Sequence, residues 1–193
     1  EIQDINKNYQ LVRQKSYTSQ GILNKQTDFH YQEDPNFIDQ FITLSTVSLY
    51  DTITKNKTAI HSYYDTQKHG KESYFYNSGK KKAETTYRFN KKSGEEIYYY
   101  KNGKKKHFYT YQRNLKQGSG TTYFSNGQLE SLSHYKNDRL EGLFKSYYEA
   151  GELQMEGNYL RNKKQGLWKY YDAEGQKIKT EKYNKGTLIK AKK

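Results

Sequence analysis

The sequence has no cysteine and only one proline, one methionine and one tryptophan among its 193 residues. Without cysteine, the chain can form no disulfides, thiolate zinc sites or cysteine nucleophiles. Hydrophobic residues make up only 32% of the chain, and that share already includes 22 tyrosines. This scarcity argues against a thick two-layer aliphatic core. No apolar run approaches the roughly 20 residues that a membrane-spanning helix needs.

Aromatic residues, by contrast, make up 16% of the chain. Low hydrophobicity combined with 28% charged residues would otherwise suggest disorder, but disordered chains are poor in aromatic residues. We therefore expect a thin, ordered structure in which tyrosine rings pack together and keep their hydroxyl groups in water.

The net charge of +13 is unevenly distributed. Residues 1–45 hold 4 basic and 6 acidic side chains, a net of −2, whereas residues 46–193 hold 30 and 15, a net of +15. A body this basic attracts nucleic acid, anionic lipid or an acidic protein. Only 5 of the 34 basic residues are arginine, the usual residue for bidentate phosphate and guanine contacts. The composition therefore disfavours specific nucleic-acid binding, and the lysine excess also fits an AT-rich genome.

A period of 24 residues runs through the chain without an insertion. Four columns of this period are filled five times each. They are Gly70, Gly94, Gly118, Gly142 and Gly166; then Phe75, Tyr99, Tyr123, Tyr147 and Tyr171; then Gly79, Gly103, Gly127, Gly151 and Gly175; and last Tyr87, Tyr111, Tyr135, Tyr159 and Tyr183.

Each 24-residue unit is predicted to be a β-hairpin. Asn102-Gly103 and Asn126-Gly127 are strong hairpin signals, and the second glycine of every unit is expected to supply a positive φ at the turn. The segments around it are rich in β-forming residues. Polar links such as residues 90–93 and 162–165 are expected to join the units, after which the first glycine begins the next hairpin.

The fold class that follows is all-β, an elongated single-layer antiparallel sheet of stacked hairpins. Residues 70–189 form the five full repeats, and residues 46–69 form a degenerate first hairpin with its turn at Lys55-Asn56-Lys57. Residues 1–45 are expected to be a capping or docking segment over the sheet edge. Within it, a helix opened by Asp34-Pro35, with Phe37, Ile38, Phe41 and Ile42 on one face, and a strand from Phe41 to Leu49 both remain open. Residues 190–193 form a basic tail.

The repeat region of the sequence resembles a known family. The pattern Gly-Leu-Trp-Lys-Tyr-Tyr at 166–171, with Gly175 and Tyr183, resembles the MORN repeat, and residues 142–148 repeat it. More closely, it resembles the bacterial MORN-variant proteins called YwqK-family antitoxins. The resemblance implies a protein partner. The family's tryptophan position is filled by Trp168 and Phe144, whereas Glu72, Glu96 and Gly120 replace it in earlier repeats.

No arrangement of residues in the sequence points to catalysis, a metal site or a cofactor. The five histidines fall at unrelated positions of the repeat and form no i, i+4 pair. No nucleophile elbow or phosphate-binding fingerprint is present, and Gly118-Ser119-Gly120 follows the repeat phase as a turn. We therefore expect a protein that is not an enzyme and uses no cofactor.

Two sets of residues are candidates for partner binding. Tyr76, Tyr100, Phe124 and Tyr148 follow the strand aromatic directly and are expected on the opposite face from it. Lys80, Lys81, Lys82, Lys104, Lys105 and Lys106 follow the turns of two consecutive repeats. Stacking would bring these lysines together as an anion-facing row, or as a charged edge that only prevents aggregation.

The leading hypothesis is a non-enzymatic protein-interaction module or scaffold. The alternatives are a structural subunit of a cell-envelope assembly and a binder of anionic lipid or nucleic-acid surfaces through the lysine rows. Because the chain begins with Glu1, we expect a processed or cut N-terminus, and we favour an exported protein, periplasmic or outer-membrane associated, over a cytoplasmic one.

Overall fold

A computed structural model describes residues 10–33 and 41–192. Every regular element in these residues is a β-strand, and all their pairings are antiparallel, which confirms the all-β class and the hairpin repeats. The described residues include no helix that could cross a membrane. The chain divides into two compact units, residues 1–94 and 95–193.

Unit 1 is a meander in which successive strands pair in chain order, and the short β5 also lies beside β4. Its strands are β1 (Gln10–Tyr17), β2 (Leu23–Glu33), β3 (Phe41–Tyr50), β4 (Lys57–Tyr64), β5 (Gln67–Lys68), β6 (Gly70–Phe75) and β7 (Lys81–Arg88). Strand β8 (Lys91–Tyr99) spans the division between the units.

Unit 2 continues the same pattern. Its strands are β9 (Lys105–Gln112), β10 (Leu115–Tyr123), β11 (Leu129–Lys136), β12 (Arg139–Leu140), β13 (Gly142–Tyr147), β14 (Leu153–Leu160), β15 (Lys163–Tyr171), β16 (Lys177–Asn184) and β17 (Thr187–Lys192). They pair in chain order from β9 to β17, with β12 and β13 both beside β11.

The N-terminal region adds strands to unit 1. Of the two alternatives for its most aliphatic part, the strand is correct, because β3 begins at Phe41 and pairs with β2 and β4. The predicted helix is therefore wrong at Phe41 and Ile42, whereas Asp34, Pro35, Phe37 and Ile38 lie outside the described residues. The turn between β3 and β4 covers residues 51–56, earlier than predicted, because the Asp51 carboxylate accepts hydrogen bonds from the N–H groups of Ile53 and Thr54.

The second glycine of each repeat adopts the positive φ that the sequence predicts. Gly103, for example, has φ of 92°, and its N–H donates to the carbonyl of Tyr100. The loop is longer than a two-residue Asn-Gly turn, because the Tyr100 N–H also donates to the carbonyl of Lys104. Asn102 is instead a link between repeats. Its side-chain amide donates to the carbonyl of Ser125, 23 residues further on.

The polar links predicted between repeats are wrong. Arg161 and Asn162 both have positive φ, 50° and 66°, and form a tight two-residue turn, after which residues 163–165 already belong to β15. Two consecutive left-handed residues match the right-handed twist of the flanking strands, so no longer connection is needed. The first glycine therefore does not start a new hairpin in three of the repeats. Gly94, Gly118 and Gly166 lie inside strands, with positive φ.

One face of the unit 2 sheet, here called the aromatic face, carries its core. Trp168 is completely buried and stacks on Phe144 with ring centroids 5.9 Å apart, while Tyr159 meets the indole edge-on at 5.0 Å. Gly157 makes this possible, because a Cβ there would lie 2.3 Å from the indole ring. A residue of any other type would have to displace the tryptophan.

Candidate binding groove

A single row of paired residues crosses unit 2 on the aromatic face. It runs from Thr122 through Ser131 and Ser146 to Met155, each paired with the next on the neighbouring strand. Thr122 and Ser146 occupy the same position of the repeat, which in the other copies holds a tyrosine: Tyr74, Tyr98 and Tyr170. Two rings are thus missing from two consecutive repeats.

The missing rings leave an open groove of about 640 Å³. Its floor is the hydroxyl row, in which the Thr122 and Ser131 oxygens are 2.7 Å apart and the Ser146 hydroxyl donates to the Gln154 side chain at 3.1 Å. The residues that line it are Thr122, Phe124, Glu130, Ser131, Phe144, Ser146, Tyr147, Tyr148, Glu149, Gln154 and Met155. None of them is basic.

Two of the four predicted aromatic residues, Phe124 and Tyr148, line this groove. Tyr148 is held in place because its hydroxyl donates to the carbonyl of Tyr171 at 2.9 Å. The groove therefore has aromatic walls, of which Tyr148 is held by a hydrogen bond, and a floor of small polar side chains.

The other two predicted aromatics have different surroundings. Tyr100 donates its hydroxyl to the carbonyl of Tyr123 at 2.7 Å, so it ties one repeat to the next. Tyr76 opens the turn after β6, where its N–H donates to the carbonyl of Lys80. The prediction that these aromatics share a strand face is wrong, since strands β6, β8, β10 and β13 end at the residue before them.

Two carboxylates border the groove. Glu130 and Glu149 are exposed, and neither forms an ion pair with any residue that the structure describes. Partial burial raises the pKa of the Tyr100 hydroxyl, and the negative charges of Glu130 and Glu149 raise it further. Two exposed carboxylates thus border a groove that no basic side chain lines, in a chain of strongly positive net charge.

All six predicted lysines are exposed and follow turns as expected. Lys81 pairs with Glu84 at 2.7 Å, and Lys106 lies 5.7 Å from the centre of the Tyr100 ring. Lys104 donates to the carbonyl of Asn126. Lys80, Lys81 and Lys82 belong to unit 1 and the other three to unit 2, so a continuous row stays a prediction.

The buried acids at the tryptophan position were not predicted from the sequence. Glu72 is 1% exposed, and its carboxylate lies 2.8 Å from both the Lys68 ammonium and the His61 ring. Burial opposes its ionisation, but the hydrogen bonds from Lys68 and His61 outweigh it, and the pKa of Glu72 falls below its usual value. The equivalent Glu96 accepts a hydrogen bond from the Tyr111 hydroxyl at 2.9 Å. The sequence signal for these acids was the presence of glutamate at a repeat position that holds Phe144 and Trp168 in later copies.

Lysines that pack on the aromatic face were also not predicted from the sequence. The Lys116 ammonium lies 3.7 Å from the centre of the Tyr109 ring, and that of Lys164 lies 4.4 Å from the centre of the Trp168 ring. Lys164 also donates to the Tyr170 hydroxyl at 2.7 Å, and burial lowers its pKa. Both lysines stand two residues after a tight turn, a regular position that the charge count alone did not reveal.

Among the described residues, no three His, Asp or Glu side chains come together in a way that could hold a metal ion. His61 is engaged with Glu72, and His107 packs against Tyr98 with ring centroids 4.3 Å apart. Burial lowers the pKa of His107. These histidines therefore act as packing and hydrogen-bonding groups in this fold.

Comparison with known proteins supports the repeat type. No curated protein matches the chain. The model of the MORN repeat variant matches three segments, residues 68–88, 116–137 and 140–160, which together make up about a third of the sequence. The last two of these segments contain all the residues that line the groove. In these three segments the chain is similar to the MORN repeat variant, in agreement with the resemblance seen in its glycine and tyrosine columns.

Proposed function

We propose that this chain is a non-enzymatic protein-interaction module that binds a partner through the groove of unit 2. Repeats of this type generally bind proteins or membrane lipids. The observation that carries the proposal is the interruption of the tyrosine position at Thr122 and Ser146, which leaves a groove beside the rings of Phe144 and Tyr148.

The groove suits a segment of a protein chain. Its walls offer ring faces, a thioether and hydroxyl groups, a mixture typical of interface cores. Tyr148 and Phe144 are already held by a hydrogen bond and by ring packing, so binding would cost little conformational entropy. The groove is open and crosses paired strands, so an extended peptide could lie in it.

Filling the groove tests the proposal. Ser146→Tyr introduces the residue that the fold itself carries at Tyr74, Tyr98 and Tyr170, so we expect a folded protein with a blocked groove. A displayed random-peptide library, selected on the full wild-type chain, should yield peptides that bind the wild type and lose at least tenfold in affinity for the variant. Affinities are measured by fluorescence anisotropy, and folding by circular dichroism.

A matched control places the same side chain on the opposite face of the same strand. Leu143 is 44% exposed and points away from the aromatic face, so Leu143→Tyr should leave peptide binding unchanged. The proposal fails if the library yields no peptide that distinguishes the wild type from a folded Ser146→Tyr protein.

The narrower assignments stay predictions. An antitoxin-like YwqK role would make the partner a toxin, and an envelope role would make it another subunit of an assembly. Binding of an anionic surface would use Lys80–Lys82 and Lys104–Lys106 instead of the groove. Ser146→Tyr separates this last alternative from the proposal, because it leaves all six lysines unchanged.

A further inference from the structure

We propose that the groove recognises an arginine side chain in a basic segment of the partner. This inference rests on the proposed function and adds the chemistry of the partner. The position equivalent to Glu130 is lysine in the first two repeats, Lys82 and Lys106. The local charge is thus reversed where the groove opens.

The carboxylates favour a ligand of positive charge. Glu130 and Glu149 line the groove from two successive repeats, and no basic side chain lines it with them. Anionic ligands, including phosphates, would be repelled at this entrance even though the whole chain is positive. A cationic group can approach both carboxylates while its uncharged stem rests on the walls.

The aromatic face already binds cations in the same way. Lys116 lies over Tyr109 at 3.7 Å, and Lys164 lies over Trp168 at 4.4 Å while its ammonium donates to a tyrosine hydroxyl. These two sites are occupied by the chain's own lysines. The groove presents the same kind of ring surface, with carboxylates added and no resident cation among its lining residues.

Arginine fits this set of groups better than lysine. Its planar guanidinium stacks on the rings of Phe124 and Tyr148 and offers five donors, enough for a carboxylate and for the hydroxyl floor together. A lysine ammonium is more strongly hydrated and cannot stack as a plane. The three-carbon stem of arginine can lie against Met155.

The test uses defined probes and the full chain. Fluorescent, end-capped dodecapeptides carry one arginine between two leucines in a Gly-Ser background, and matched probes carry lysine, glutamine or glutamate in its place. We expect the arginine probe to bind about tenfold more tightly than the glutamine probe, with binding that weakens as salt is raised. The glutamate probe should not bind measurably.

The double variant Glu130→Gln/Glu149→Gln changes only exposed side chains and is expected to fold. It should reduce the preference for arginine over glutamine to less than about threefold. Ser146→Tyr should abolish binding of every probe. Equal affinity for the arginine and glutamine probes, or no binding of any probe, would overturn the inference.

Two further outcomes separate this inference from the proposed function. If library peptides that depend on an unfilled groove are neutral or acidic, the groove binds proteins but the arginine assignment is wrong. If phosphatidylcholine vesicles displace the arginine probe from the wild type, the cation recognised is a lipid headgroup and the inference is also wrong. Enrichment of arginine peptides that depend on both Ser146 and the two carboxylates supports it.

Discussion

One position of the repeat shows how differently the same backbone can be filled. Two residues after the first glycine stand Glu72, Glu96, Gly120, Phe144 and Trp168. Phe144 and Trp168 stack on each other, and Gly120 leaves room for the Tyr109 and Tyr135 rings, which a Cβ would approach within 3 Å. Glu72 and Glu96 are buried but hydrogen-bonded, as buried charge requires. Each copy thus fills the same position of the repeat with different chemistry.

Glu72 gives a prediction about pH at the scale of the residue. Its pKa is lowered in the folded chain, so the folded state binds its proton less readily than the unfolded chain, whose value is near the ordinary 4.5. Its stabilising contribution is therefore complete above that value and is lost as the pH falls through it and towards the folded pKa. We expect the free energy of unfolding of the wild type to fall more steeply on acidification than that of Glu72→Gln, measured by urea unfolding at several pH values.

Glu95→Gln provides the control, because Glu95 is exposed on β8. The free energy of unfolding of this variant should fall on acidification in parallel with that of the wild type. If instead the Glu72→Gln and wild-type curves run parallel below pH 4.5, the ion pairs with Lys68 and His61 do not contribute as the geometry indicates.

At the scale of the element, the tight turns lock neighbouring repeats together. Asn162 donates its N–H to the carbonyl of Leu140 at 3.0 Å and accepts the Leu140 N–H on its side chain at 2.6 Å. Asn90 does the same with Lys68, and Asp138 with Lys116. In the last turn Gly186 keeps the backbone bond, to Lys164, without a side-chain acceptor. The turn thus reverses the chain and also hydrogen-bonds to the preceding repeat.

Two substitutions at Asn162 separate these roles. Asn162→Gly keeps the left-handed backbone, as Gly186 does, and should lower the free energy of unfolding by about 1 kcal/mol through the lost hydrogen bond. Asn162→Ala should cost about 1 kcal/mol more, because alanine disfavours a φ of 66°. Urea unfolding measures both. Asn158→Ala, on an exposed strand position, should change the free energy of unfolding by less than about 0.5 kcal/mol.

The critical result is which Asn162 variant, glycine or alanine, loses more free energy of unfolding. Equal losses for glycine and alanine would show that the backbone conformation contributes nothing to the cost. A glycine variant as stable as the wild type would show that the side-chain acceptor contributes nothing.

At the scale of the whole molecule, the constant period allows one repeat to take the place of another. The Tyr100 hydroxyl reaches the carbonyl of Tyr123, and the Asn102 amide reaches that of Ser125, both 23 residues further on. Contacts of this kind join neighbouring copies, so the stability of a repeat array is close to a sum over units and their interfaces. Removing one complete period should therefore leave every remaining contact with an equivalent partner.

Deleting residues 118–141, a full period of 24, should give a folded chain in which Tyr100 meets the carbonyl of Tyr147. Its denaturant dependence of unfolding should decrease, because less surface is buried. Deleting residues 118–139 removes 22 residues and brings the columns out of phase, so this control should not fold cooperatively. Circular dichroism and urea unfolding distinguish the two. Similar behaviour of both deletions would contradict the model of interchangeable repeats.

The sequence alone determined the period, the hairpin repeats and the positive φ of the turn glycines, because these depend on local chemistry that recurs every 24 residues. Gly103 and Tyr159 could be placed from their columns without any coordinates. Phe124 and Tyr148 were also identified as binding candidates, since both follow a strand aromatic. The tight turns at Arg161-Asn162 were missed, because neither residue is glycine and their positive φ comes from the pairing of the strands on either side.

Only the tertiary structure decided where the groove forms. Thr122 and Ser146 look unremarkable in the sequence, and the space above them exists because rings are missing from two strands, β10 and β13, that both pair with β11. The same holds for the presence of Glu130 and Glu149 in one groove and for the contact of Glu72 with His61. Each depends on the register between strands, and register brings together side chains from separate repeats whose chemistry no single repeat contains.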